Sequence, residues 1–309
     1  MRQAVTRIVK RVLLESGHYG RRLRRDAFPG VAVLCYHGVR ADDWVAGTMT
    51  FEGLHVRAAE LAAHCRLIRE TCHPISLAQW RLARAGGPAL PPRPVLLTFD
   101  DGYRTVFTLA RPILERHTIP AVVLVCSDPI ARRCLFWYDA MARARGEAEV
   151  ERTKTLAFDE WRTLEAAWSR PAEDADPHAP LTPAEVRALA DTPGIEVGGH
   201  TASHPILARG NAEQQRDQIV RNKQCLEEWI DGPVTAFAYP NGRPGRDYTT
   251  DTVALVKGSG FETAFTTHMG FARSDEAPLE YSRFLMLAGV SAAELAHRFC
   301  YSWRRPQRE

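Results

Sequence analysis

The sequence has no run approaching the ~18 consecutive apolar residues of a membrane-spanning helix. Its N-terminus is basic but lacks the continuous apolar stretch of a signal peptide, so no secretory leader is expected. Cysteine is sparse: seven residues, an odd number, with no Cys-x-x-Cys. Cys35 and Cys126 lie within apolar, strand-like runs, as buried free thiols do. A reducing, cytoplasmic setting fits this usage better than a disulfide scaffold. The pairs His64-Cys65 and Cys72-His73 match no common zinc spacing. Charge of one sign is also lacking overall. A net +3 over 309 residues, without zinc-finger or recognition-helix patterns, gives no reason to expect nucleic-acid binding. Internal repeats and low-complexity tracts are absent.

What is there suits a soluble α/β protein. With 45% hydrophobic and 25% charged residues, the chain can bury one large domain or two ordinary ones. Charge is unevenly spread. Residues 1–30 hold eight Lys/Arg against Glu15 and Asp26, a net +6, so the rest of the chain carries −3. Val5, Ile8, Val9, Val12 and Leu13 recur at helical spacing, which predicts a basic amphipathic helix over 3–14. Two readings stay open: peripheral contact with a membrane surface, at the inner face if the protein is cytoplasmic, or a helix packed on the domain with solvated arginines.

After this arm, strand-like and helix-like segments alternate. Strands are predicted at 31–36, 95–99, 121–126, 195–199, 235–239 and 262–267, with about seven in all. Helices are predicted from Thr50 to about Ile68, after Ser76, at 104–116, from Thr182-Pro183 to about Asp191, from Asn211 to about Ile230, near 249–257 and near 292–299. This order implies a parallel sheet with crossover helices, closed into a distorted barrel because polar residues collect at strand ends. Residues 129–180 break the rhythm and predict a helical insertion forming a lid or substrate wall. The expected organisation is an arm at 1–30, a catalytic domain at 31–290, and a helix with basic tail at 291–309.

Two strings carry chemistry. Thr98-Phe99-Asp100-Asp101-Gly102-Tyr103 follows the apolar run at 95–97, and His200-Thr201-Ala202-Ser203-His204-Pro205 follows a strand ending in Gly198-Gly199. Adjacent carboxylates at the end of a buried strand are costly without a cation or a proton. Pro205 disfavours the α conformation at His204, so a tight loop is predicted, delivering both imidazoles to one point. One Asp and two His leave coordination positions open, as a catalytic metal site requires, and the second Asp is free to move protons.

These strings resemble the motifs of the polysaccharide deacetylase family, carbohydrate esterases that share the NodB homology domain. A third string, Phe237-Ala238-Tyr239-Pro240-Asn241-Gly242, is similar to the family's third motif. The resemblance spans roughly residues 30–290 and implies a distorted (β/α)7 barrel that removes acetyl groups from N-acetylated sugars with a divalent metal, often zinc. It assigns Asp100 as general base and Asp101, His200 and His204 as metal ligands. It places the substrate near Tyr239, Pro240 and Asn241, with the Tyr239 backbone N–H helping to stabilise the oxyanion.

Three departures stand out: no Arg in the third motif, no Asp-Trp motif, and no late Leu-x-His motif to supply the general acid. His37, at the end of the first strand in Tyr36-His37-Gly38, is the candidate donor. A Tyr-His pair there is similar to the arrangement in the biofilm poly-N-acetylglucosamine deacetylases. His268 is the runner-up. Arg283 could orient a carboxylate in place of the missing Arg, or form a surface ion pair. Trp44, Trp137 and Tyr138 are candidates for stacking on sugar rings or for core packing. Histidines 18, 55, 64, 73, 117, 178 and 297 read as ordinary surface or packing residues.

The expected activity is metal-dependent N-deacetylation of a glycan or glycoconjugate. The substrate would be an N-acetylated oligo- or polysaccharide, or a lipid- or nucleotide-linked sugar. The alternatives are hydrolysis of a small non-sugar amide or cyclic imide, and a catalytically silent glycan-binding module.

Overall fold

Three consecutive apolar residues, Val95-Leu96-Leu97, cannot satisfy a sheet that faces water on one side; such a strand must be covered on both faces. In the computed structural model, which describes residues 2–302, all three are fully buried within a closed parallel barrel. Fully burying each such side chain contributes roughly 1.5–3 kcal/mol. The barrel strands are β1 (Ala32–Tyr36), β2 (Pro94–Phe99), β3 (Ala121–Val125), β4 (Ile195–Gly199), β5 (Ala236–Ala238), β6 (Thr263–Met269) and β7 (Tyr281–Leu285). Each pairs in parallel with the next, and β7 and β2 both pair with β1 to close the ring. The β6–β7 register slips between Tyr281 and Arg283, which distorts the ring on that side.

Helices α1 (Arg2–Glu15) and α2 (His18–Arg25) precede the barrel. The crossover from β1 to β2 carries α3 (Ala58–Thr71) and α4 (Leu77–Arg84), and α5 (Arg111–His117) joins β2 to β3. Between β3 and β4 lie α6 (Ser127–Arg132), α7 (Trp137–Arg145), α8 (Glu147–Thr153), α9 (Phe158–Ala167) and α10 (Pro183–Ala190). Then α11 (Ala212–Ile230) links β4 to β5, α12 (Thr250–Gly258) links β5 to β6, and α13 (Ala292–Tyr301) follows β7. The side chains of Ser76, Thr182, Asn211 and Thr249 each accept the N–H three residues on, starting α4, α10, α11 and α12 as local chemistry dictates.

Two elements depart from expectation. Thr50 does not start α3. The chain instead makes a single turn at Glu52–Leu54 and a short strand at Val56–Arg57 paired with Val39–Arg40, and α3 opens at Ala58, whose neighbour Ala59 donates its N–H to Asp42. Burial of His55 and Val56 fixes this detour, a tertiary demand that outweighs helical periodicity. The seventh strand, unplaced in sequence, is β7. The basic tail at 303–309 lies outside the described residues.

Side-chain alternation along the strands separates two apolar clusters. Ala32, Leu34, Leu97, Val123 and Phe237 face the surrounding helices. Val33, Leu96, Val122, Leu124, Ala236 and Phe265 fill the lumen, which Trp80 of α4 closes against Tyr281 with ring centroids 4.3 Å apart. The same parity continues upward. Two residues beyond Val33 and Leu96 come Cys35 and Thr98, and two further come His37 and Asp100. The lumen is thus apolar where the strands begin and polar where they end.

Candidate active site

At the C-terminal ends of the strands, a cavity of about 340 Å³ is lined by His37, Asp100, Asp101, His200 and His204. Asp100 continues β2, donating its N–H to the Tyr36 carbonyl oxygen. Adjacent strand residues ordinarily point to opposite faces, yet both aspartates face the cavity. Asp101 takes φ 74° and Gly102 φ 99°, so the chain turns through the left-handed region and brings Asp101 round.

The predicted tight loop at 200–205 is present, with Thr201 at φ 67° and His204 at φ 61°. Left-handed backbone at non-glycine residues is unfavourable and persists where surrounding contacts over-determine it. Here those contacts are numerous. Gln218 accepts the Ser203 N–H through its side chain and the Ala202 N–H through its backbone oxygen. The Ser203 hydroxyl donates to Asp128 at 2.5 Å, and Arg221 holds the other oxygen of that carboxylate. Trp137 donates its indole N–H to the His204 carbonyl oxygen at 3.4 Å. Asn222 accepts the His200 N–H. A Cβ at Gly199 would lie 2.5 Å from that Asn222 oxygen, so the glycine is what lets α11 approach.

Asp101, His200 and His204 place ligand atoms within 4.8 Å of one another, all buried. Asp101 Oδ1 lies 3.4 Å from His200 Nε2 and 3.5 Å from His204 Nε2. That oxygen is buried without a hydrogen-bond partner. His200 Nδ1 lies 2.8 Å from the Ala238 carbonyl oxygen, which fixes the donor there and turns Nε2 towards the cavity. Burial pushes the His204 imidazole down to about 3, keeping it neutral as a metal ligand must be. Burial also acts to raise the Asp101 carboxyl, but the three surrounding histidines override it and hold the group well below the usual range. An ionised carboxylate with an orphaned oxygen and two imidazoles turned to it is a donor set that could hold a divalent cation.

Asp100 is answered differently. Arg283 of β7, fully buried, forks onto both its oxygens at 2.7 Å, and its Nε donates to the Thr266 carbonyl oxygen exposed by the β6–β7 slip. Burial opposes ionisation of Asp100, yet the guanidinium wins and lowers the carboxyl below its ordinary value. Of the two roles open to Arg283, orientation of a carboxylate is the one the structure shows, and neither a surface ion pair nor a substrate contact is formed. It sits behind Asp100 and does not line the cavity, because its parity on β7 points it into the lumen. Cys35, His37 and Asp100 also cluster within 4.8 Å. Burial pushes the Cys35 thiol well up, and Arg283 already neutralises the carboxylate, so this second group lacks the charge a metal would meet.

His37 lines the cavity within 4.8 Å of Asp100, and its Nδ1 is buried without a hydrogen-bond partner. His268 is exposed near the end of β6 and does not line the cavity. The strand end where the late motif is missing presents Leu285 as an apolar wall. In the third string Tyr239 and Asn241 line the cavity and Pro240 does not. The Tyr239 N–H, expected to face an oxyanion, donates to the Phe265 carbonyl oxygen at 3.2 Å, because strand pairing with β6 extends one residue past β5. Asn241, at φ 56°, turns its Nδ2 into a buried position with no partner. Among the aromatic candidates, Tyr138 lines the cavity, whereas Trp137 packs with Trp161 inside the insertion and Trp44 does not reach the cavity.

Sequence reasoning missed a buried polar layer behind the Asp101 turn. Tyr103 donates to Asp139 at 2.8 Å. His178 packs 3.7 Å from the same carboxyl, accepts from Arg143 at Nδ1, and lies 3.0 Å from the Thr50 carbonyl oxygen. His55 stacks edge-on against Tyr103 with both ring nitrogens unpaired. His178 does have a local carboxylate, Asp176 two residues before it at 3.6 Å, but its approach to Asp139 and Thr50 joins segments far apart in the chain, which no local pattern displays.

Comparison with known proteins agrees with this geometry. A family model described as polysaccharide deacetylase matches residues 87–264. The poly-beta-1,6-N-acetyl-D-glucosamine N-deacetylase of Escherichia coli K12 is 27% identical over 276 residues, covering 87% of this chain. The chain spans 38% of that relative's length. Two solved structures share the fold: Streptococcus pyogenes deacetylase PplD (TM-score 0.65, 18% identity, 87% of this chain and 98% of that one) and IcaB from Ammonifex degensii (0.63, 20%, 88% and 97%). With the matching segment running from before β2 into β6 and so containing both the paired aspartates and the two histidines, the chain belongs to the polysaccharide deacetylase family.

Proposed function

We propose that this protein hydrolyses N-acetyl groups of a polymer of N-acetylglucosamine, using a divalent metal held by Asp101, His200 and His204. The observation that carries the reading is the buried Asp101 oxygen with no partner but two imidazoles, beside a second aspartate fixed by Arg283. When bound, the ion supplies Lewis-acid polarisation of the acetamide carbonyl and acidifies water. Asp100, kept ionised and aimed by the Arg283 fork, takes a proton from the attacking water as general base. His37, across the cavity, gives a proton to the nitrogen as the C–N bond breaks, so acetate and a free amine leave. The unpartnered Asn241 amide is the donor placed to hold the substrate carbonyl, since the Tyr239 N–H is engaged. Tyr138 offers a ring face as one wall of the cavity.

The curated relatives named for poly-beta-1,6-N-acetylglucosamine support that substrate class, and the intact donor set argues against a silent glycan-binding module. Acetate release from β-1,6-linked N-acetylglucosamine oligomers, measured before and after chelation and on return of zinc, tests the reading. Release that is unaffected by complete metal removal would sink it.

A further inference from the structure

The face of α1 that points away from the protein is apolar, and arginines lie along one side of it. Val5, Ile8, Val9 and Val12 are 55%, 62%, 51% and 55% exposed, large values for aliphatic side chains on one helix. At about 100° per residue these four positions form one continuous stripe. The packing of α1 uses a different face: Leu13 and Leu14 lie against the core, and Lys10 pairs with Glu294 of α13 at 2.5 Å. The stripe is therefore not what holds the helix to the domain, which removes the reading of an amphipathic helix buried by its apolar side.

Arg11 borders the stripe on one side with Arg7 beyond it, both exposed, and Arg21, Arg24 and Arg25 of α2 are exposed nearby in the chain. The acidic residues of this segment are only Glu15, paired with Arg11, and Asp26. We propose that α1, with the arginines of α2, docks the protein on an anionic lipid bilayer, the valines and isoleucine entering the acyl boundary and the guanidinium groups meeting headgroup phosphates. Charge complementarity selects this occupant. The remainder of the chain carries a net −3 and is repelled by an anionic surface, so the +6 segment must lead. Orientation fits as well. Lys10, near the middle of α1, meets Glu294 in the first turn of α13. The middle of α1 thus lies beside the start of α13, at the barrel end where the strands finish.

The test needs no enzyme assay. The full chain is sedimented with vesicles of phosphatidylcholine alone or doped with phosphatidylglycerol. Binding is expected to the doped vesicles, to fall roughly fivefold for each of Arg7→Ala and Arg11→Ala, and to vanish in Ile8→Asp/Val12→Asp. That variant should melt at the wild-type temperature, since both side chains are solvent-exposed. Salt gives a readout free of any variant: wild-type protein should leave the doped vesicles as ionic strength rises. Equal retention on neutral vesicles, or retention indifferent to salt, would overturn the proposal. So would a concentration-dependent dimer that Ile8→Asp dissolves, which would make the stripe a protein interface.

Discussion

Asp100 and Asp101 are neighbours in sequence and equally buried, yet the protein treats them as opposites. Asp100 meets a guanidinium that forks onto both oxygens. Asp101 meets two imidazoles and keeps an oxygen with no partner. A buried carboxylate must find a compensating charge. For Asp100 the chain supplies it from β7, and for Asp101 from the surrounding histidines, with one oxygen left open to a ligand. The difference separates two jobs that the same side chain could do. A carboxylate satisfied by a fixed cation can accept a proton without gaining a metal, while one facing two imidazoles with an oxygen left open could anchor a metal.

The most severe way to break this comparison is Asp101→Asn. It removes the only anionic ligand, and we expect loss of bound metal by elemental analysis together with loss of measurable deacetylation. His37→Ala should leave metal content intact and cut turnover about 10²–10⁴-fold; full turnover in that variant would remove the acid from His37. Arg283→Met attacks the other aspartate. It leaves Asp100 buried without its cation, at a cost of about 3–5 kcal/mol, read from urea unfolding, and pairing it with Asp100→Asn should recover much of that loss.

The gentlest perturbation concerns a third buried carboxyl, whose neighbouring imidazole, His178, does not offset its burial. Burial, reinforced by Asp101, raises Asp139 to about 7, against an ordinary value near 3.8. Between those values the folded state binds the extra proton, so stability falls as pH rises through this window and levels off above it. Asp139→Asn, which keeps an acceptor for the Tyr103 hydroxyl, should match wild type at pH 3.8 and below, gain on it as pH rises to about 7, and melt on the order of 5 °C higher at pH 8. An unchanged melting temperature at pH 8 would show that Asp139 is ionised without penalty.

Much of the fold was legible because its signals are local. Uninterrupted apolar runs marked β2 and β3, and side-chain caps marked the starts of α4, α10, α11 and α12. The strings at 98–103 and 200–205 were legible for the same reason: strand, turn and ligands lie within a few residues of each other. β7 was not, since Tyr281-Ser282-Arg283 reads as polar until the lumen supplies Asp100 as the partner of Arg283. The start of α3 was misplaced because the burial of His55 and Val56 depends on residues far along the chain. The oxyanion role of the Tyr239 N–H failed on strand pairing with Phe265, which no local pattern displays.

The sequence by itself determined that adjacent aspartates and a His-x-x-x-His string would sit at strand ends, because parity and turn chemistry act over short range. Tertiary structure decided which aspartate would be neutralised, since only closure of the barrel brings β7 beside β1 and delivers Arg283 to Asp100. It also decided that His37 rather than His268 faces the cavity, and that the apolar stripe of α1 points outward. Those outcomes depend on contacts between segments tens to hundreds of residues apart.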